Sequence, residues 1–288
     1  MAYSRLVRFI PKSSPGTVLI GQPVDDSLDV GLATRKGEEV EVRVFSGSSA
    51  LSPGELTNKR EKVGTLLSPI SREEIGTIRC IGLNYKDHAR EVKMDFPSEP
   101  ILFLKPNTSL ADPYPAPTII PKHTLAHNTA DYESELAVVI GKECKNVSEA
   151  DALSYVLGYT ACNDVSSRTS QLSQSQWCYS KGFDGACPLG PVLVSPELIK
   201  DPSKLWIKGK KNGEVVQDSG IDDLIFEIPK LISFLSQGTT LPPGTTIVTG
   251  TPKGVGMGTE TYLKDGDEVA IEVSPHIGTL ITVYQAEK

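Results

Sequence analysis

Strand-length runs of apolar and β-branched residues, separated by turn residues, dominate this chain from about residue 75 onward. Such runs, bounded by Gly, Pro, Asn and Asp, are typical of buried β-strands. The clearest are ILFLK, ELAVVIG, YVLGYTAC, GPVLVS, TTIVTG and VAIEV. Asn212-Gly213 predicts a hairpin turn, because type I′ turns need positive φ at both central residues. Only EIPKLISFLSQG and VSEADALSY have helical patterns, so the chain is expected to adopt a mainly β, α+β fold.

The N-terminal part of the chain has a different sequence pattern. RLVRFI and EVEVRVFSG indicate strands, but the segments around them are broken by Gly, Pro, Ser and Asp. No reactive side chains cluster there. A chain of 288 residues has room for a small and a large folding unit. We therefore predict a small N-terminal cap domain over residues 1–72 and a catalytic domain over residues 73–288.

The charge pattern excludes several classes of partner. Lys and Arg number 29 against 36 Asp and Glu, which gives a net charge of −7 without any run of like charges. Nucleic-acid binding depends on basic patches, so a nucleic-acid partner is not expected. No apolar stretch approaches the roughly 20 residues that span a bilayer, so a membrane partner is not expected either.

The cysteines and the first residues bear on localisation. Five cysteines without a CxxC pair, in a chain without a secretory signal, indicate reduced thiols and a cytoplasmic setting. Arg5, Arg8 and several serines without acidic residues also resemble a transit peptide, although RLVRFI alternates like a strand. The prediction is cytoplasmic, with mitochondrial localisation as the alternative.

The segment DYESELAVVIG contains the most informative spacing. Glu133 and Glu135 are two residues apart, so on a strand both point to the same face. A solvent-facing edge strand would explain this pair equally well. However, the next apolar run ends at Asp164, which places a third carboxylate at the end of a buried strand. Three carboxylates from two strands predict an oxygen-only site for Mg²⁺, with Mn²⁺ or Ca²⁺ as substitutes.

A histidine and a glutamate lie three residues apart in IGLNYKDHAREV. If this stretch forms a short helix, His88 and Glu91 share a face, and the carboxylate orients the imidazole for proton transfer. The following KMDFPSEP has the composition of a lid. Lys181, in a Gly-flanked loop, either lies beside an anionic substrate or is simply solvated.

A Gly-rich loop follows a strand in VTGTPKGVGMG. It lacks the GK[ST] ending of a P-loop, so a nucleotide site is not expected. Its backbone N–H groups and the hydroxyl of Thr251 suit a small carboxylate instead. Arg168 and Gln171, just after the third carboxylate, are further candidates for substrate contacts.

Taken in order, these segments resemble the fumarylacetoacetate hydrolase family over roughly residues 75–285. CIGLNYKDHARE, DYESELAVVIGK, GYTACNDVSSR, KGFDGACPLGP, NGEVVQ and TGTPKGVG carry the resemblance. The long N-terminal segment is similar to that of the domain-containing protein 2 type. The chain departs from the acylpyruvase type at Leu83, where that type carries Arg, and it lacks a further acidic ligand of the original hydrolases.

The resemblance implies a mixed β-roll fold, a homodimer and a divalent metal. It implies metal-ligand roles for Glu133, Glu135 and Asp164, catalytic roles for His88, Glu91 and Lys181, and substrate contacts by Thr251, Arg168 and Gln171.

The expected substrate is a small 2-oxo acid that reacts through a metal-bound enolate. Hydrolysis of a C–C bond in an acylpyruvate or a fumarylacetoacetate-like 1,3-diketo acid is the principal hypothesis. Oxaloacetate tautomerisation and oxaloacetate decarboxylation use the same groups and stay open as alternatives. A scaffold that binds a partner without catalysis is a further alternative, although it would be expected to have lost a ligand or the His88–Glu91 pair.

Overall fold

The computed structural model describes residues 3–288, and β-strands dominate them. The strands are β1 Arg5–Pro11, β2 Leu19–Pro23, β3 Glu41–Phe45, β4 Leu56–Leu67, β5 Ile78–Gly82, β6 Ile101–Lys105, β7 Leu110–Ala111, β8 Pro117–Ile120, β9 Ala130–Asp131, β10 Ser134–Ile140, β11 Val156–Asn163, β12 Ser166–Ser167, β13 Cys187–Val194, β14 Trp206–Lys211, β15 Glu214–Gly220, β16 Thr246–Val248, β17 Glu268–Ser274 and β18 Gly278–Ala286. The helices are α1 Val30–Lys36, α2 Arg72–Ile75, α3 Lys86–Glu91, α4 Lys122–Leu125, α5 Arg168–Leu172, α6 Cys178–Lys181, α7 Ile228–Ser236 and α8 Gly256–Thr259. The predicted mainly β class is confirmed.

Most strands belong to one large sheet in the order β2-β3-β4-β1-β13-β11-β10-β16-β5-β6, with β7 attached to β13. A five-stranded sheet, in the order β15-β14-β17-β18-β8, accompanies it, and β9 pairs with β12. In β10 all seven residues are buried, which explains its almost uninterrupted apolar sequence. No helix in residues 3–288 is long and apolar enough to cross a membrane.

The strand and hairpin predictions are confirmed in detail. The six apolar runs form β6, β10, β11, β13, β16 and β17. The β14–β15 hairpin turns at Asn212 and Gly213, whose φ angles are 50° and 87°. The predicted helix EIPKLISFLSQG is α7, with Pro229 in its first turn, where a missing N–H costs nothing.

The helix predicted in VSEADALSY is wrong, because only a short 3₁₀ turn at Ala152–Tyr155 forms there. The cause is local competition by side chains. The Ser148 hydroxyl donates to the Asp151 carboxylate at 2.7 Å, and the Ser154 hydroxyl donates to the Asp151 carbonyl at 2.7 Å. Such bonds offer the backbone an alternative to a regular helix.

The N-terminal strands continue the large sheet. β1 pairs antiparallel with β13, where Arg5 lies opposite Val194. The carboxylate before α1 ties this region to β18 as well, since Asp29 accepts hydrogen bonds from the Thr279 N–H at 3.1 Å and hydroxyl at 2.7 Å. The division at residue 72 stays a prediction.

Strand directions bring the segments with reactive side chains to one end of the sheet. β10 begins where β11 ends, with Ser134 opposite Asn163. β16 runs antiparallel to β10, and β5 runs parallel to β16, so both end on this side. The Gly-rich loop follows β16 and α3 follows β5. The two glutamates, the aspartate, the loop and the His–Glu pair therefore meet at one edge.

Candidate metal centre and active site

Three buried carboxylates lie together at this edge. Glu133 directly precedes β10, Glu135 is the second residue of β10, and Asp164 comes directly after β11. One carboxylate oxygen from each residue lies within 4.8 Å of the others, as the same-face spacing predicted. The alternative of a solvent-facing edge strand is excluded, because β10 is an interior strand and the side chains are buried.

Buried cations surround two of the three carboxylates. Lys181 Nζ lies 2.9 Å from Glu133 and 2.7 Å from Asp164. Lys105 Nζ lies 2.5 Å from the other oxygen of Asp164, and Arg168 Nη1 lies 2.7 Å from Glu133. Burial alone would raise the pKa of Glu133, but Lys181 and Arg168 hold it well below the usual value.

The third carboxylate is different, since Glu135 makes no ion pair among the described residues. Its carboxylate accepts a hydrogen bond from the Gly250 N–H. Burial raises its pKa well above the ordinary value, and the nearby charges of Asp164 and Glu133 raise it further. An ionised carboxylate in this position needs an added cation or a proton.

The charge count of the cluster also favours a divalent ion. Once Glu135 gives up its proton, the four carboxylates of Glu133, Glu135, Asp164 and Asp131 face the three cations Lys105, Lys181 and Arg168, so 3 − 4 leaves one excess negative charge. The donor set contains only oxygen, which suits hard cations such as Mg²⁺, Mn²⁺ or Ca²⁺ rather than zinc. These residues form a candidate metal-binding triad.

The His–Glu pair sits on α3, as its spacing predicted. His88 Nδ1 lies 2.9 Å from one oxygen of Glu91, and the other oxygen accepts the Gly254 N–H at 3.0 Å. Burial alone would raise the pKa of Glu91, but the His88 and Gly254 hydrogen bonds lower it overall. An ionised Glu91 only accepts, so Nδ1 carries the proton and Nε2 is left as the basic nitrogen.

Thr251 lies in the Gly-rich loop and lines the cavity at this edge. Its hydroxyl donates to the Ser134 carbonyl at 3.1 Å and accepts from Gln217 Nε2 at 2.8 Å. The side-chain amide oxygen of Gln217, Oε1, in turn accepts a hydrogen bond from the Ser134 N–H at 2.9 Å. The hydroxyl proton of Thr251 is therefore engaged with the protein, and Gln217 ties the loop to the start of β10.

Arg168 is the best-placed cation for a substrate. Its Nε lies 2.7 Å from Asp131 and its Nη1 donates to Gln171 at 2.8 Å. Its Nη2 is buried and has no hydrogen-bond partner among the described residues, although the side chain lines the cavity. A buried guanidinium nitrogen without a partner is costly, so this atom is poised for an anionic group.

Three residues of the site were not predicted from the sequence: Lys105, Asp131 and Gln217. Lys105 is a cation at the end of an apolar strand, a signal that could have been noticed. Asp131 lies two residues before Glu133 and accepts the N–H groups of Gly256 and Met257 at 2.7 and 2.9 Å. Gln217 belongs to the NGEVVQ segment, but its long-range partners are not visible in the sequence.

A cavity of about 250 Å³ opens beside these groups. Its polar lining comprises His88, Glu133, Arg168, Gln171, Lys181 and Thr251, and its remaining lining comprises Ile81, Gly82, Leu83, Val92, Met94, Ile101, Phe103, Leu172, Trp177 and Met257. Trp177 is only half-buried and lines the cavity. The cavity is thus lined by His88, Lys181 and all three predicted substrate contacts, whereas Glu91 lies behind His88, which it contacts at 2.9 Å.

Comparison with known proteins agrees with this arrangement. The family model for "Fumarylacetoacetate (FAA) hydrolase C-terminal" matches residues 77–284. A caffeoylpyruvate hydrolase from Neonothopanus nambi is 46% identical over 99% of this chain and 94% of its own length. The mitochondrial oxaloacetate tautomerase Fahd2a of Rattus norvegicus is 41% identical over 75% of this chain and 68% of its own. The crystal structure of a 2-hydroxyhepta-2,4-diene-1,7-dioate isomerase from Mycobacterium marinum superposes with a TM-score of 0.81, at 31% identity, over 99% of both chains.

Proposed function

Because the chain belongs to the fumarylacetoacetate hydrolase family, we propose that it is a divalent-metal-dependent hydrolase of C–C bonds in acylpyruvates or fumarylacetoacetate-like 1,3-diketo acids. One observation carries the proposal. An acidic triad suited to a metal and a hydrogen-bonded His–Glu pair adjoin the same cavity, where His88 and Glu133 both line the wall.

Glu133, Glu135 and Asp164 would hold Mg²⁺, with Mn²⁺ or Ca²⁺ as substitutes. A bound divalent ion supplies Lewis-acid polarisation to the chelating carboxylate and keto oxygens of a 2-oxo acid. The excess negative charge of the cluster favours the cation. Lys181 and Arg168 lower the pKa of Glu133 and so keep it ionised before the cation arrives.

His88 acts as the general base and Glu91 orients it. With Nδ1–H held by Glu91, Nε2 is free to take a proton from a water molecule, whose oxygen adds to the distal keto carbon. The C–C bond next to this carbon then breaks, which releases a carboxylic acid and the enolate of pyruvate, and the proton on Nε2 passes to the enolate carbon to give pyruvate. The hydrogen bond that the Gly254 N–H donates to Glu91 holds the His88–Glu91 pair against the Gly-rich loop. A fixed pair loses less entropy on reaching the reactive geometry.

The cations near the triad complete the assignment. Lys181 balances oxyanion charge that develops on the substrate, and the unpartnered Nη2 of Arg168 donates a hydrogen bond to the substrate carboxylate. Gln171 holds Arg168 in place and adds a polar contact. Thr251 lines the same wall, and it contacts the substrate as a donor only if its hydroxyl proton turns away from the Ser134 carbonyl.

Oxaloacetate tautomerisation is the second candidate, and oxaloacetate decarboxylation is a variant of it. The tautomerase relative is the observation that favours it. The same His88 would then move a proton on carbon rather than from water. Exclusion of water from the cavity decides between the two outcomes.

Proton NMR of the purified protein with Mg²⁺ tests the proposal. Acetylpyruvate and oxaloacetate are supplied in separate tubes, each with an EDTA control. Metal-dependent formation of acetate and pyruvate from acetylpyruvate is the expected result. Intact acetylpyruvate with faster enol–keto exchange of oxaloacetate would replace the proposal by the tautomerase alternative, and pyruvate in the second tube would indicate decarboxylation.

The small-molecule partner follows from the family and the cavity. The homodimer and the cytoplasmic or mitochondrial setting stay predictions. Size-exclusion chromatography with light scattering decides the oligomeric state, and fractionation of the source cells decides the compartment.

A further inference from the structure

The wall of the cavity away from the acidic triad is apolar, and this has a consequence for the substrate. We propose that the acyl group of the substrate is uncharged and aromatic, and that it packs against Trp177 and Phe103. This inference rests on the proposed acylpyruvate chemistry and specifies the half of the substrate that the metal centre does not touch.

The aromatic pair begins directly beside the polar groups. Lys181 Nζ lies 5.2 Å from the centre of the Phe103 ring, so this ring adjoins the ammonium that contacts Glu133 and Asp164. Trp177 packs edge-on against Phe103, with ring centroids 5.7 Å apart and planes at 71°. A group attached to the reacting keto carbon therefore meets two aromatic rings.

Gly82 on β5 leaves room for the indole of Trp177. A Cβ on Gly82 would lie 2.2 Å from the Trp177 ring, so only glycine allows the indole to approach β5 this closely. The next residue, Leu83, has a φ of 51°, a left-handed conformation that a leucine rarely adopts. Strained residues of this kind persist where the surrounding structure fixes them, commonly at binding sites. Both Gly82 and Leu83 line the cavity.

Among residues 3–288, the cavity lining offers no free cation for a second carboxylate on the substrate. Arg168 and Lys181 line the cavity but are bound to Asp131, Glu133 and Asp164. The single open position, Arg168 Nη2, is taken by the 2-oxo acid carboxylate in the proposed reaction. A distal carboxylate would lose its hydration against Phe103 and Trp177 without a counterion, which is strongly unfavourable.

The exposed apolar residues at the mouth of the cavity also favour a large apolar acyl group. Met94 and Leu172 line it, yet 56% and 75% of their surfaces are exposed. A large apolar acyl group would cover both side chains, whereas an acetyl group would leave them in water. Unbranched methionine adapts readily to the face of an aromatic ring.

The test compares three substrates with the Mg²⁺-loaded protein: acetylpyruvate, benzoylpyruvate and fumarylpyruvate. We expect kcat/KM for benzoylpyruvate to exceed that for acetylpyruvate by about tenfold or more, since a phenyl ring adds a large buried apolar area. We expect fumarylpyruvate, which has a second carboxylate, to be poorer than acetylpyruvate.

Variants separate binding from the intrinsic reactivity of the substrates. Trp177→Leu should lower the benzoylpyruvate to acetylpyruvate ratio of kcat/KM by about tenfold, mainly through KM, because an aromatic contact is lost. Trp206→Leu is the matched control, since Trp206 lies in β14, is half-exposed and does not line the cavity. Leu83→Arg should raise kcat/KM for fumarylpyruvate and lower it for benzoylpyruvate, because it places a cation in the apolar wall.

The outcomes are distinguishable. A wild-type preference for acetylpyruvate or fumarylpyruvate over benzoylpyruvate overturns the inference and leaves the hydrolase intact. An unchanged ratio in Trp177→Leu also overturns it. Metal-dependent hydrolysis of none of the three substrates overturns the proposed function and the inference together. If Trp177→Leu fails to fold, as judged by circular dichroism, the wild-type ratios and Leu83→Arg decide.

Discussion

Replacement of Lys105 by methionine tests whether the buried ion-pair network holds the acidic triad. Lys105 is completely buried, and its Nζ contacts Asp164 at 2.5 Å and the Ala186 carbonyl at 2.6 Å. Burial alone would lower the pKa of this ammonium, but Asp164 raises it overall, so the lysine stays charged. Methionine matches the apolar stem as far as Cε and removes the ammonium, with both its charge and its hydrogen-bond donors.

The expected loss of unfolding free energy is large for a single substitution. Breaking a buried ion pair by removing one partner destabilises by about 3–5 kcal/mol, because the other charge is left uncompensated. Asp164 retains Lys181 at 2.7 Å, which places the expected loss near the lower end, at about 3 kcal/mol. The Ala186 carbonyl also loses the Lys105 donor, but it keeps the Val165 N–H at 3.0 Å and so adds little to the loss.

Urea unfolding in EDTA, followed by tryptophan fluorescence, measures this loss. Lys62→Met is the matched control, since Lys62 pairs with Glu39 at 2.7 Å on the open surface and should leave the midpoint almost unchanged. Saturating Mg²⁺ should reduce the difference in unfolding free energy between Lys105→Met and the wild type, because the bound ion compensates the charge of Asp164. If the unfolding free energies of Lys105→Met and the wild type differ by less than about 1 kcal/mol in EDTA, Lys105 is not the buried counterion.

Two further predictions concern proton transfer and metal binding. Glu91→Gln should reduce kcat by about 10²-fold by removing the negative partner of His88, while Arg90→Gln, on the exposed side of α3, should leave kcat unchanged; equal rates for both would exclude the pair from catalysis. Since the pKa of Glu135 is raised in the metal-free protein, Mg²⁺ affinity should fall as the pH falls through that raised pKa, with a proton released on binding. Calorimetry in two buffers of different ionisation enthalpy counts that proton, and identical heats would contradict the prediction.

Much of the site was predictable because local spacing maps simply onto regular structure. Two residues along a strand return to the same face, which fixed Glu133 beside Glu135. Three residues along a helix share a face, which paired His88 with Glu91. Positive-φ turn residues located the hairpin at Asn212.

The remainder depends on contacts between distant segments, and no local pattern encodes these. Lys105 reaches Asp164 only because β6 and β11 end near one another in the folded sheet. Gln217 crosses from the second sheet to Thr251, a contact between residues far apart in the chain. Tryptophan is usually well buried, whereas Trp177 forms a cavity wall against Gly82, a placement that the local sequence does not reveal.

The helix predicted in VSEADALSY shows the opposite failure. Its apolar spacing is helical, but Ser148 and Asp151 satisfy the backbone and each other locally. Side-chain competition of this kind depends on hydroxyl and carboxylate geometry, which periodicity does not capture.

The most direct test of the metal centre is a Mg²⁺ isotherm and a thermal melt on Glu135→Gln, with turnover measured on the same sample. Glu135 has no ion-pair partner in residues 3–288, and its charge is opposed by Glu133 and Asp164. The variant should therefore melt no lower than the wild type in EDTA, bind Mg²⁺ far more weakly, and lose acylpyruvate turnover in parallel. An unchanged Mg²⁺ isotherm, or full turnover without Mg²⁺ binding, would contradict the assignment of the three carboxylates as the metal centre of this enzyme.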